Sequence, residues 1–151
     1  ENLPAIVAAV SSERLFDTFL ELIESLGDAC DVVLESSHEH KSNPKEYRRE
    51  GIERVLLESQ LWNFEDLLLN DGCTSIAVLH SEEPFEVQLD EHKLLIAYGP
   101  AMYTFETILR EQGVRQKKNL RVISQGDDMH TSTNHYMTQF EDLVSHLHAD
   151  L

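Results

Sequence analysis

The sequence predicts an α/β or α+β fold: a single mixed sheet of five to six strands with a central antiparallel meander, covered by about four helices. Three observations carry this expectation. Short apolar runs alternate with helix-period segments along the first half of the chain. Three consecutive strand-like runs fill Thr74 to Tyr98 with only short polar turns between them. The chain has 151 residues, 41% of them hydrophobic, which is the size and composition of one domain with its own core. No repeat, low-complexity tract or Pro/Ser linker divides it, so residues 1–151 are read as a single globular domain.

Pro4 is followed by Ala5 to Val10, six apolar residues in a row, which read as a strand buried on both faces. Ser11 or Ser12 then caps a helix whose positions Leu15, Phe16, Phe19, Leu22, Ile23 and Leu26 recur at helical spacing, with Gly27 as its left-handed stop. Cys30 to Ser36 follows as a second strand, and the short crossover predicts a parallel, right-handed βαβ unit. The polar stretch His38 to Glu46 reads as a loop. From Tyr47 onward, Ile52, Val55, Leu56, Leu61 and Trp62 suggest a second helix, Asn63 caps a further turn or two through Leu69, and Asn70, Asp71 and Gly72 stop it.

The meander comes next, as Thr74 to His80, Phe85 to Leu89 and Lys93 to Tyr98. Phe85, Val87 and Leu89 alternate with Glu86, Gln88 and Asp90, the pattern of a strand solvated on one face. Gly99 and Pro100 open a helix with Met102, Phe105, Ile108 and Leu109 inward, ended by Gly113. A basic loop leads to a last strand, Leu120 to Ser124, and a final helix from about Asn134 turns Tyr136, Phe140, Leu143, Val144 and Leu147 to one side. Trp62, Tyr98, Tyr103, Phe105 and Tyr136 lie at core spacing, without the interleaved Lys and Arg of a base-stacking platform.

Charge narrows the range of partners. Twenty-eight acidic against twelve basic residues give a net charge of −16, which repels phosphate backbones and anionic lipid surfaces, so neither nucleic acid nor membrane is expected as a partner. No Lys or Arg occurs between Arg54 and Lys93 or after Arg121. Such an uneven distribution makes the molecule dipolar and favours a protein partner or self-association, for instance as a dimer. The acidic face of the Phe85 to Leu89 hairpin, extended by Glu82, Glu83 and Glu91, is a candidate docking patch for a basic segment such as the Arg115 to Arg121 loop of a second copy. Its simpler role is to guard a sheet edge.

Cys30 and Cys73, the two cysteines, read as buried free thiols. Their low number fits a reducing compartment, and no basic segment with an apolar core opens the chain, so the expectation is cytoplasmic.

Motifs that would name a reaction are missing. No Gly-rich phosphate fingerprint follows the first strand, and no nucleophile elbow surrounds Ser37, whose neighbour His38 points to the other side of an extended chain. Ser11 and Ser12 offer donors to an anion that Glu13 opposes. Glu82 with Glu83 and Asp127 with Asp128 resemble acid and base pairs in composition only. The leading expectation is therefore a noncatalytic acidic protein-interaction or regulatory domain without a cofactor. The alternative is a metal-dependent hydrolase holding one divalent ion in a cluster at strand ends: His38 and His40, whose spacing puts both rings on one side, with His130, His135 and Asp128. This spacing matches no zinc signature.

Overall fold

The computed structural model describes residues 3–39, 43–114 and 133–151. Their elements follow in the order β1 (Ala5–Ala8), α1 (Ser12–Glu24), β2 (Ala29–Ser36), β3 (Lys45–Glu53), α2 (Arg54–Trp62), α3 (Glu65–Asn70), β4 (Thr74–His80), β5 (Glu86–Leu89), β6 (Leu95–Tyr98), α4 (Tyr103–Glu111) and α5 (Asn134–Leu147). The six strands form one sheet in the order β1-β6-β5-β4-β2-β3. The meander β4-β5-β6 sits inside it as expected. Every neighbouring pair is antiparallel.

The anticipated parallel unit is therefore not formed. β1 and β2 run in the same direction, but β6, β5 and β4 lie between them. A crossover helix fixes direction and leaves the number of intervening strands open, and α1 spans the width of the meander.

A second difference lies at Tyr47. Residues expected to begin a helix form β3, whose ladder with β2 runs from Ala29↔Glu53 to Ser36↔Lys45. The helical apolar period starts only at α2, and Tyr47, Arg49 and Ile52 turn towards the protein because of a β-bulge. Between the pairs Cys30↔Ile52 and Val32↔Arg49, Asp31 stands opposite both Glu50 and Gly51. Gly51 adopts φ 64°, a left-handed conformation that favours glycine. Its N–H donates to Asp31 Oδ1 at 2.9 Å.

The strand Phe85 to Leu89 also differs from its expected setting. β5 pairs on both sides, so it is an interior strand and guards no edge. Trp62 and Tyr103, placed in the core by their spacing, are 51% and 76% exposed; Trp62 leans on Phe16, ring edge to face at 4.9 Å. The α4 helix starts at Tyr103, a few residues after Pro100. The expected strand Leu120 to Ser124 lies outside the described residues.

One face of the sheet makes the core. Cys30, Val32 and Leu34 of β2, Ile76 and Val78 of β4, Val87 and Leu89 of β5, and Leu95 and Ala97 of β6 are all buried there. Against them pack Leu15, Phe16, Phe19, Leu22 and Ile23 of α1 and Leu143 and Leu147 of α5 in one continuous cluster. Burial of such side chains contributes roughly 1.5–3 kcal/mol each. Among the described residues, no helix is long and apolar enough to cross a membrane.

Candidate functional site

Two features stand out once the sheet is in place. The first is a buried polar cluster where β2 ends and β4 begins. Antiparallel pairing sets Ser36 opposite Thr74, which brings the chain leaving β2 against the turn entering β4. His38 follows Ser36 by two residues, so its ring returns to the same side. Its Nε2 lies 2.6 Å from Asp71 Oδ2, with side-chain exposures of 3% and 0%. A carboxylate only accepts, so Nε2 carries the proton and donates. Nδ1 is then free to accept from the Ser36 hydroxyl, 2.5 Å away.

Thr74 Oγ1 donates to the same Asp71 oxygen at 2.6 Å. The other oxygen, Oδ1, is buried without a hydrogen-bond partner. Phe140 of α5 closes the cluster from the helix side, its ring edge-on to His38 at 5.7 Å, and Tyr47 packs on Phe140 in turn. Ser37 points away from His38, as expected, and donates towards Glu91 Oε2 at 3.4 Å.

Lys93 reaches the rim from the β5–β6 turn, where it holds φ 64°. Its Nζ donates to the Thr74 carbonyl at 3.2 Å. Burial pulls its ammonium down to about 8, against the pull of Asp71, Asp90 and Glu91 in the other direction. Cys73 is buried and free. His38, Asp71 and Cys73 present Nε2 or Nδ1, a carboxylate oxygen and Sγ within 4.8 Å of one another.

The cluster departs from the expected metal set. Of His38, His40, Asp128, His130 and His135, only His38 and His135 fall among the described residues. His135 is exposed at the start of α5, its ring tilted against Tyr136, and it is not part of the group around His38. Asp71 and Cys73 were legible only as a helix stop and a buried thiol, because nothing local in the sequence announces that β2 and β4 pair.

The second feature is the outer face of the sheet. Pairing registers align Arg48, Val33, Ala77, Gln88, Ile96 and Val7 in one row across it. None of these six is buried. Beside them, Leu79, Glu83, Phe85, Glu86 and Tyr98 line a groove of about 580 Å³. Carboxylates frame this mostly apolar row, which Gln88 interrupts and Arg48 ends: Asp31, Glu35, Glu46 and Glu86 share this face. Glu35 is held above the ordinary carboxylate range by burial and then by Glu46 and Glu91, and Glu46 is its direct cross-strand partner.

No family model, curated protein or solved structure matches the chain.

Proposed function

We infer that the protein is a noncatalytic, acidic protein-interaction domain whose outer sheet face docks a partner carrying basic side chains around an apolar centre. The observation that supports this reading is the part-exposed row Val33, Ala77, Gln88, Ile96 and Val7, bounded by Arg48 at its β3 end and framed by the carboxylates of Asp31, Glu35, Glu46 and Glu86. An apolar strip gives up water on contact, and like charges crowded around it are relieved by an opposite charge. Glu35 already lies against Glu46, so a partner's Lys or Arg gains a site where repulsion is stored. The net charge of −16 adds long-range attraction for such a partner and keeps nucleic acid and anionic membranes away. The reading places the domain in the cytoplasm, in keeping with two free, buried thiols.

An amphipathic β-peptide alternating Lys and Leu tests the surface, followed by amide chemical shifts. Shifts confined to Val33, Ala77, Gln88 and Ile96, with affinity falling steeply between 0.1 and 1 M salt and about tenfold in Glu35→Gln/Glu86→Gln, support it. Shifts spread over the helices, or salt-indifferent binding, refute it. Sedimentation of the protein alone separates a second copy from a foreign partner.

A further inference from the structure

We propose that His38, Asp71 and Cys73 form a site for one zinc-class divalent ion, independent of the outer sheet face. Three observations converge on it. The donor set is one imidazole, one carboxylate and one thiol, with ligand atoms all within 4.8 Å. Zinc takes these donors at about 2.0–2.3 Å in tetrahedral geometry, so mutual separations of about 3.3–3.8 Å are wanted. The cluster is thus already close to the scale of a coordination sphere, and the hydrogen bond of 2.6 Å from His38 Nε2 to Asp71 Oδ2 is given up when the ion takes Nε2.

The second observation is the orphan oxygen. Asp71 is 0% exposed, and its Oδ1 has no hydrogen-bond partner while Oδ2 serves both His38 and Thr74. A buried carboxylate oxygen left unpaired costs free energy, and a cation satisfies it directly. Oδ1 becomes the ligand, and Thr74 continues to hold Oδ2.

The third is the support behind the histidine. A metal-bound imidazole needs an acceptor for its other N–H. Ser36 Oγ stands 2.5 Å from Nδ1. When the ion takes Nε2, the proton moves to Nδ1 and the Ser36 hydroxyl turns from donor to acceptor. Ser36 is thus a positioning residue in both states.

The proton and charge balance also suits the burial. The ion brings two positive charges, Asp71 supplies one negative charge, and Cys73 supplies the second when its thiol proton leaves to solvent. His38 stays neutral, having only exchanged one ring proton position for the other. The ion and its three ligands together are electrically neutral, with the Lys93 amine at the rim as the nearby basic group, which lowers the cost of placing a divalent ion beside Phe140 and the sheet. Three protein ligands leave the fourth position to water, or to a small anionic or thiol ligand.

Cobalt(II) reports the site, because thiolate coordination gives a sulfur-to-cobalt charge-transfer band and tetrahedral geometry gives intense visible bands. Chelator-treated protein titrated with Co²⁺ is expected to reach its end point at one equivalent with both signals, and Zn²⁺ is expected to displace the cobalt and raise the melting temperature. Cys73→Ser is expected to lose the charge-transfer band and bind about tenfold or more weakly, while Cys30→Ala keeps the band. His38→Gln is expected to abolish stoichiometric binding. The proposal is overturned if wild-type protein shows no charge-transfer band at one equivalent, an outcome that needs no variant to fold. It is equally overturned if the band survives Cys73→Ser in protein whose circular dichroism is native. Failure here leaves the peptide experiment on the outer face unaffected.

Discussion

Gly99 gives the sharpest quantitative handle on the groove. It is buried at the end of β6, and a methyl group added to it meets Phe85 Cδ1 at 2.3 Å and Cε1 at 2.6 Å. Ordinary contact begins at 3.4 Å, so in Gly99→Ala the ring has to withdraw by about 1.1 Å. It cannot do so freely, since its other side is set edge to face on Phe105 of α4 at 6.0 Å. Forcing an extra carbon into packing of this kind costs about 1–3 kcal/mol. For a chain of this size a loss of about 2 kcal/mol lowers the melting temperature by roughly 4–8 °C. Urea denaturation of wild type, Gly99→Ala, Phe85→Ala and the double variant closes a cycle. With Phe85 truncated, the added methyl finds space, and what remains is the restriction of the unfolded backbone, which stabilises by roughly 0.4–1 kcal/mol. The substitution is therefore expected to change sign between the two backgrounds. If Gly99→Ala costs less than about 0.5 kcal/mol in wild type, or costs the same in both backgrounds, the contact with Phe85 is not what makes glycine necessary.

Glu35 binds its proton more tightly in the folded chain than in the unfolded one, so its contribution to stability is present at low pH and is lost as pH rises through its folded value. Glu35→Gln is expected to stabilise by about 0.5 kcal/mol at pH 7, the scale of a like-charged cross-strand pair, with the gain gone at pH 3 in urea melts. Lys93 has the opposite dependence: with its ammonium pulled down to about 8, the unfolded chain holds one more proton between about pH 8 and pH 10, and stability rises with pH across that window. Lys93→Met is expected to flatten that rise and to gain about 1–2 kcal/mol at pH 7, a discharged burial cost of about 3 kcal/mol less the lost bond to Thr74. At Gly51, where a Cβ meets nothing within 4 Å, Gly51→Ala is expected to cost roughly 1–2 kcal/mol from left-handed strain alone, and an unchanged urea midpoint would contradict that account of the bulge.

Much of the architecture is legible locally. The α1 stripe from Leu15 to Ile23, the three strands of the meander and the α5 stripe ending at Leu147 each bury one side at the period their sequences show. What failed depended on partners distant in sequence. Nothing in Tyr47 to Glu53 displays a strand, because its outward residues are Arg48 and Glu50 and a bulge interrupts its alternation. Neighbourhood of β2 with β4 is likewise invisible, and with it the cluster at His38: the histidine was singled out, whereas Asp71 resembled an ordinary turn residue in Asn-Asp-Gly. Val55 and Leu56 carry the same lesson, for they are apolar at helical spacing yet 68% and 46% exposed.

The position of β1 has a consequence for the order in which the molecule assembles. Among the described residues its one ladder is with β6, joining Ala5 to Tyr98 and Ala8 to Leu95, about ninety residues apart. Closing so long a loop before any contact repays it is slow, whereas β2 with β3 and the meander join neighbours along the chain. β1 precedes β6 in the chain and waits until β6 presents a free edge before this ladder forms. With four residues and one neighbour among the described strands, it is also the part of the sheet expected to exchange its amides soonest, opening and closing while the β2–β4 ladder stays shut.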